Sequence, residues 1–279
     1  MIICKNIKSL QEKIDSYRLK KHKISFVPTM GSLHKGHLSL VKKAKGKNKI
    51  VIVSIFVNST QFGANEDFKN YPRNTDKDIN LLKSLSVDIV FAPYEYEILK
   101  YRTPKLKFSR FSIERILCGK SRPQYFPGVG NIIIKFFDII KPNYAYFGEK
   151  DYQQYYFIKL LTAKIKFNTK IISCKTIRDN LGIALSSRNL YLNNKEKKVA
   201  LNIIKTLRRT KRELSNQWKP KEIIYKNKKI LLGKGVKKID YFELRSETLK
   251  KNVKKNGRSR LFIAVFIGST RLIDNLKVN

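Results

Sequence analysis

Apolar residues come in short blocks along this chain rather than alternating one by one. Ile24–Val27, Ile50–Val57, Val87–Ala92, Tyr144–Phe147 and Lys170–Cys174 are such blocks, each long enough for a strand and too short for a helix. Between them the spacing changes. Leu38, Leu40, Val41 and Ala44 form one helical stripe running to about Lys45. Ile79, Leu82 and Leu85 form another, behind Asn74 or Thr75 as a cap and with Asp76 and Asp78 in the first turn. Gly128–Ile140 is a largely apolar helix stopped at Pro142, and Tyr152–Ala163 is a further one. Strands without in/out alternation, separated by helices, predict a parallel sheet covered on both faces. Beyond residue 176 the pattern shifts. A long Lys-rich helix runs from Asn194 to Leu214, residues 219–238 read as a solvated helix face, and Ile239–Leu244 and Leu261–Ile267 have strand character. The expected architecture is α/β: a doubly wound parallel sheet over residues 1–176 and a smaller α+β domain over residues 177–279.

Charge adds a question. The formal net charge is +39, from 60 Lys and Arg against 21 Asp and Glu. It is spread over both parts, and 45 of the 60 basic residues are Lys, whereas base readout and phosphate clamping favour Arg. Lys here accompanies abundant Ile, Asn, Phe and Tyr, the set that AT-rich coding favours. No specific nucleic-acid partner is expected, only salt-sensitive attraction to polyanions. No apolar run approaches the ~18 residues of a membrane span, and Lys5 and Lys8 interrupt the N-terminus. Three scattered cysteines form no disulfide framework, so a reducing, cytoplasmic setting without membrane attachment is expected.

The most informative stretch is His34-Lys35-Gly36-His37, which holds two of the three histidines. It lies where the Ile24–Val27 strand hands over to a helix, a position whose free N–H groups and dipole attract phosphate. Zinc would want at least three ligands, and Cys4, Cys118 and Cys174 are far apart with no CxxC pair. Nucleotide binding is the better reading of the tetrapeptide. In an open α/β sheet, ligands bind outside the carboxyl ends of the strands. The residues that follow the strands should therefore converge: Met30, His34 and His37; Asn58, Thr60 and Gln61; Gly148-Glu149-Lys150-Asp151 with Gln153 and Gln154; and Leu185-Ser186-Ser187-Arg188-Asn189. They offer cations, N–H donors and amides, suited to phosphoryl charge and polar small molecules.

These residues carry a resemblance. Val27–Leu40 (VPTMGSLHKGHLSL), Val53–Asp67 (VSIFVNSTQFGANED), Tyr71-Pro72-Arg73, Phe147–Gln154 (FGEKDYQQ), Leu185–Tyr191 (LSSRNLY) and Arg271–Asn275 (RLIDN) resemble, in order, the motifs of the pantoate–β-alanine ligase family. That family belongs to the HxGH nucleotidyltransferases, which have a Rossmann-like fold. The resemblance implies condensation of (R)-pantoate with β-alanine, driven by ATP, through a pantoyl-adenylate intermediate. It implies that His34 and His37 contact ATP phosphates, with His37 as proton donor, and that Lys150 and Arg188 stabilise phosphate charge. Met30, Gly31, Ser32, Leu33, His34, Lys35, Gly36 and His37 would bind ATP, together with Gly148, Glu149, Lys150, Asp151, Ile177, Leu185, Ser186, Ser187 and Arg188. Gln61 and Gln154 would hold pantoate, and Gln61 also β-alanine. Mg²⁺ is expected with the triphosphate, although no residue declares itself a metal ligand, and a homodimer is expected.

The chain departs from the family pattern in places. Ser59 stands where proline is usual, and Gln124 and Tyr125 replace a glycine and a histidine. HxGH alone is shared with tRNA-synthetase-like and coenzyme-forming nucleotidyltransferases, but the chain is short for an enzyme that also reads an anticodon. A basic nucleic-acid-binding protein on a degenerate scaffold is the remaining alternative, disfavoured by His34, His37, Lys150 and Arg188 occurring together.

Overall fold

The computed structural model describes residues 1–46, 49–64, 66–103 and 112–279. In chain order it runs β1 (Ile2–Cys4), α1 (Ile7–Leu19), β2 (Lys23–Thr29), α2 (Lys35–Ala44), β3 (Lys49–Ile55), α3 (Thr75–Ser84), β4 (Ile89–Phe91), α4 (Glu95–Lys100), α5 (Cys118–Ser121), α6 (Tyr125–Ile140), β5 (Tyr144–Gly148), α7 (Tyr152–Lys164) and β6 (Lys170–Cys174). There follow α8 (Asn194–Asn216), α9 (Pro220–Leu232), β7 (Lys238–Ser246), β8 (Ser259–Ile267) and β9 (Thr270–Lys277). Two units result: Met1–Glu149 with Gln154–Lys175, and Lys150–Gln153 with Thr176–Asn279.

The first unit is built on a six-stranded sheet in the order β1-β4-β3-β2-β5-β6, with every pair parallel. The chain steps outward from β2 through β3 to β4, then returns to place β5 on the other side of β2. The order therefore reverses between β2 and β5, the position where doubly wound sheets bind ligands. Neighbouring residues of one strand face opposite helices. Phe26 and Phe91 meet Phe136 of α6 edge-on, at 5.7 and 6.0 Å between ring centroids. Val27 and Val90 instead join Leu40, Val41 and Ala44 of α2 and Leu82 of α3. With both faces buried, the strands need apolar residues at successive positions, which is why the sequence shows blocks.

Helix ends follow local chemistry. The Asn74 side chain accepts from Lys77 N–H and caps α3. Of the stripe expected there, Leu82 is fully buried, while Ile79 and Leu85 are half-buried at the edge of the cluster. Helix α6 starts at Tyr125, three residues before the Gly128 expected from the pattern. Pro127 sits in its first turn, where the missing N–H would have had no intrahelical acceptor. Lys141 closes it in the left-handed region, and Pro142 follows.

In the second unit α8 and α9 accompany an antiparallel sheet, β7-β8-β9. Ile203, Ile204, Leu207 and Leu214 of α8 share a core with Leu261, Ile263 and Val265 of β8. Helix α9, inside the Lys-rich stretch, buries Ile223, Asn227 and Leu231. Among the described residues no helix is long and apolar enough to cross a membrane.

Candidate active site

The segment between β2 and α2 is a backbone turn held from outside. Thr29 Oγ1 donates to Ser54 O at 2.6 Å and accepts from Gly31 N–H at 3.2 Å. Gly31 and Ser32 are both left-handed, at φ +75° and +49°. A Cβ on Gly31 would lie 2.9 Å from Asp78 Oδ2, so only glycine fits. The Asp78 carboxylate, on α3, accepts from Ser32 N–H and Leu33 N–H, each at 2.7 Å. Burial pushes the Asp78 carboxyl up, opposed by those two N–H groups and by Lys77.

His34 caps α2. Its Nδ1 accepts from Gly36 N–H at 3.1 Å, while His37 Nδ1 accepts from His34 N–H at 3.4 Å. The rings lie 4.1 Å apart between centroids, tilted by 30°. A nitrogen that accepts a hydrogen bond carries no proton, so in this arrangement both imidazoles are neutral and protonated at Nε2. The helix start thus supplies a pair of Nε2–H donors beside its positive dipole end. Lys35 between them is exposed.

The loop after β3 brings in amides. Asn58, which precedes the 3₁₀ turn Ser59–Gln61, and Gln61, its last residue, are both buried. Asn58 Nδ2 donates to Gln61 Oε1 and to Gly128 O, both at 3.2 Å, and Asn58 Oδ1 accepts from Thr60 Oγ1 at 2.9 Å. Gln61 Nε2 reaches Met30 Sδ at 2.9 Å, joining this loop to the one after β2. Gly128 permits the approach of α6, since a Cβ there would run into the Thr60 carbonyl and lie 2.7 Å from Gln61 Cα. Gln154, on α7, accepts from Tyr125 Oη at 2.5 Å. At the end of β5, a Cβ on Gly148 would meet no described atom within 4 Å, so its backbone stays approachable.

The other expected residues stand in the second unit. Lys150 Nζ lies 3.6 Å from Asp151 Oδ1, and Lys150 O accepts from Asn275 Nδ2 at 2.8 Å. Ile177 O accepts from Leu185 N–H at 3.0 Å across a tight reversal. Arg178, in that reversal, forks onto Asp274 at 2.7 and 2.9 Å. Ser186 Oγ accepts from Arg188 N–H at 3.3 Å and caps the turn holding Ser187, which is buried. The Asp274-Asn275 end of the RLIDN motif thus anchors the chain at Arg178 and Lys150. Among the described residues no group of three or more His, Cys, Asp or Glu could hold a metal ion.

A family model described as pantoate–β-alanine ligase matches residues 2–277. The chain belongs to that family. Pantothenate synthetase of Thermosipho africanus is 44% identical over 261 residues, covering 92% of each chain. Among solved structures, pantothenate synthetase of Thermus thermophilus superposes with a TM-score of 0.91 at 32% identity, over 100% of this chain and 99% of its own. Pantoate–β-alanine ligase of Francisella tularensis, described as complexed with β,γ-ATP and β-alanine, has a TM-score of 0.81 at 40% identity, over 100% and 98%.

The departures from the family pattern now have surroundings. Gln124 has φ −83° and ψ −11°, a conformation any residue adopts, so the lost glycine introduces no strain there. Ser59 Oγ donates to Glu95 Oε1 at 3.3 Å. Tyr125 reaches Gln154. Asp78, Glu66 and Arg122 carry weight that residue spacing did not reveal. Asp78 was legible only as an acidic residue in a first helical turn.

Proposed function

We propose that this chain condenses (R)-pantoate with β-alanine to pantothenate, using ATP. A pantoate carboxylate oxygen attacks the α-phosphorus, the bond to pyrophosphate breaks, and pantoyl adenylate forms. The β-alanine nitrogen then attacks the acyl carbon, the bond to AMP breaks, and the amine loses a proton. Family membership supports the reaction. The observation that carries the chemistry is the locked pair His34 and His37. Two neutral Nε2–H donors at a helix start suit phosphate oxygens on which charge builds during in-line transfer. In this reading His37 donates at the departing phosphate, and the turn from Met30 to Gly36 with Gly148 and Glu149 receives the nucleotide. Lys150, Asp151, Ile177, Leu185, Ser186, Ser187 and Arg188 keep the ATP-binding roles that the resemblance implies. Gln61 and Gln154 hold pantoate, with Gln61 also meeting β-alanine.

The donors gathered in the first unit are imidazoles, amides and backbone N–H groups, which suit oxyanions better than a hard cation. Magnesium is accordingly assigned to the substrate, carried on the triphosphate. A homodimer belongs to the same proposal, and light scattering tests it.

Activation of pantoate should not need the amine. Labelled pyrophosphate is expected to exchange into ATP with pantoate and Mg²⁺ present and β-alanine absent, and added β-alanine should drain the intermediate to pantothenate and AMP. Exchange that requires β-alanine would rule out the two-step order. Exchange supported by an amino acid in place of pantoate would favour the tRNA-synthetase-like alternative.

A further inference from the structure

Around Tyr125 lies a half-buried cluster that the reaction scheme does not use. Arg122 forks onto Glu66, with Nε to Oε1 at 2.6 Å and Nη2 to Oε2 at 2.5 Å. The same Nη2 donates to Gln61 O at 3.3 Å. The guanidinium carbon sits 4.0 Å from the centroid of the Tyr125 ring. Tyr125 is 9% exposed and its hydroxyl donates to Gln154 Oε1. One cation thus touches the backbone of Gln61 and the ring whose hydroxyl engages Gln154. A planar guanidinium pinned on both edges of a carboxylate is a stiff support, and an aromatic face laid against it has little freedom to swing.

The hydrogen bonds also fix polarity. An amide side chain can present either its oxygen or its NH₂ group to a ligand. At Gln154 the Tyr125 hydroxyl occupies the oxygen. At Gln61 the oxygen is occupied by Asn58 Nδ2, itself oriented by Thr60. Gln154 is left to offer its NH₂ group, and Gln61, whose Nε2 also reaches Met30 Sδ at 2.9 Å, its second N–H; both match a ligand whose polar atoms are carboxylate and hydroxyl oxygens.

We propose that Tyr125 is a positioning residue for the acid substrate: braced by the Arg122–Glu66 pair, it locks the Gln154 amide with its NH₂ group toward pantoate. This rests on the reading of Gln154 as a pantoate ligand. A phenol also keeps its proton through the physiological range, so the lock would hold where a histidine at this position would titrate.

The test is steady-state kinetics on the full chain with unfolding midpoints measured alongside. Tyr125→Phe keeps the ring over Arg122 and removes the donor. It should raise KM for pantoate about tenfold, the scale of one lost hydrogen bond. KM for ATP, KM for β-alanine and the unfolding midpoint should hardly move. Tyr125→His, which restores a donor, should recover most of the loss. Gln154→Ala should raise the pantoate KM by itself, and adding Tyr125→Phe to it should change nothing further, because the tyrosine acts only through the glutamine. A normal pantoate KM in Tyr125→Phe, or an equal effect with and without Gln154, overturns the positioning role. If Gln154→Ala leaves the pantoate KM alone while pyrophosphate exchange proceeds, the pantoate assignment of Gln154 fails, and the positioning role falls with it.

Discussion

Asp78 accepts the backbone N–H of Ser32 at 2.7 Å across 46 positions of sequence. That bond, with its twin to Leu33, holds the left-handed turn from which the His34–His37 pair projects. Asp78→Ala would leave the buried Leu33 N–H and the half-buried Ser32 N–H without their acceptor, at about 1–3 kcal/mol for the buried one. A loss of that order in denaturant unfolding is expected, with a parallel fall in pantoate-dependent exchange. Normal stability in Asp78→Ala would show that the turn holds itself.

The same carboxyl makes stability depend on pH. Burial raises its native pKa above the unfolded value, so the folded chain holds this proton more tightly than the unfolded chain. Its contribution is fully present below the unfolded carboxylate pKa and is lost as pH rises through the native value. Asp78→Asn should remove that part of the slope, seen as a stability difference, parent minus variant, that falls as pH rises in urea melts across mildly acidic pH. A curve parallel to the parent's would mean that Asp78 ionises alike in both states.

His37→Ala removes the proposed donor at the departing phosphate. Adenylation measured by pyrophosphate exchange should fall roughly 10²-fold or more, the scale of a deleted transition-state donor. His37 Nδ1 also accepts from His34 N–H, so a small stability loss should accompany it. His37→Asn, whose side-chain oxygen could accept that bond, should recover the stability and not the rate. Near-normal exchange in either variant would remove His37 from the chemistry.

Gly128→Ala tests the approach of α6 to the loop that carries Gln61. The added methyl meets backbone, which cannot swing aside as a side chain can. Destabilisation of about 1–3 kcal/mol is expected, together with a raised KM for pantoate. A fully stable variant with unchanged kinetics would show that helix and loop shift freely.

The net charge of +39 predicts retention on RNA at low salt, without sequence preference and lost by physiological salt. A filter-binding titration across salt concentrations measures it. Tight, sequence-selective binding at physiological salt would revive the nucleic-acid alternative.

What the sequence determined is what depends on near neighbours. The blocks at Ile24–Val27 and Lys170–Cys174 became β2 and β6, and Asn74 caps α3, because strand length, helical spacing and caps are decided within a few residues. The His34–His37 tetrapeptide was legible at a helix start for the same reason. Helix α1 was within reach too: Asn6 caps it, and Leu10 and Ile14 are buried at helical spacing. The short β1 gave no periodicity to read, and β9, Thr270–Lys277, was read only as the RLIDN motif that lies within it. Tertiary structure alone decided the partners. Nothing local tells that Asp78 would accept from Ser32 and Leu33, that Arg122 would fork onto Glu66 and touch Gln61, or that Asn275 would hold the Lys150 carbonyl. Apolar spacing specifies which face of an element is buried and leaves open which element covers it. In the first unit those polar bonds form only after the β4-β3-β2-β5 order has carried distant loops together, and the Asn275 bond needs the second unit folded around β9.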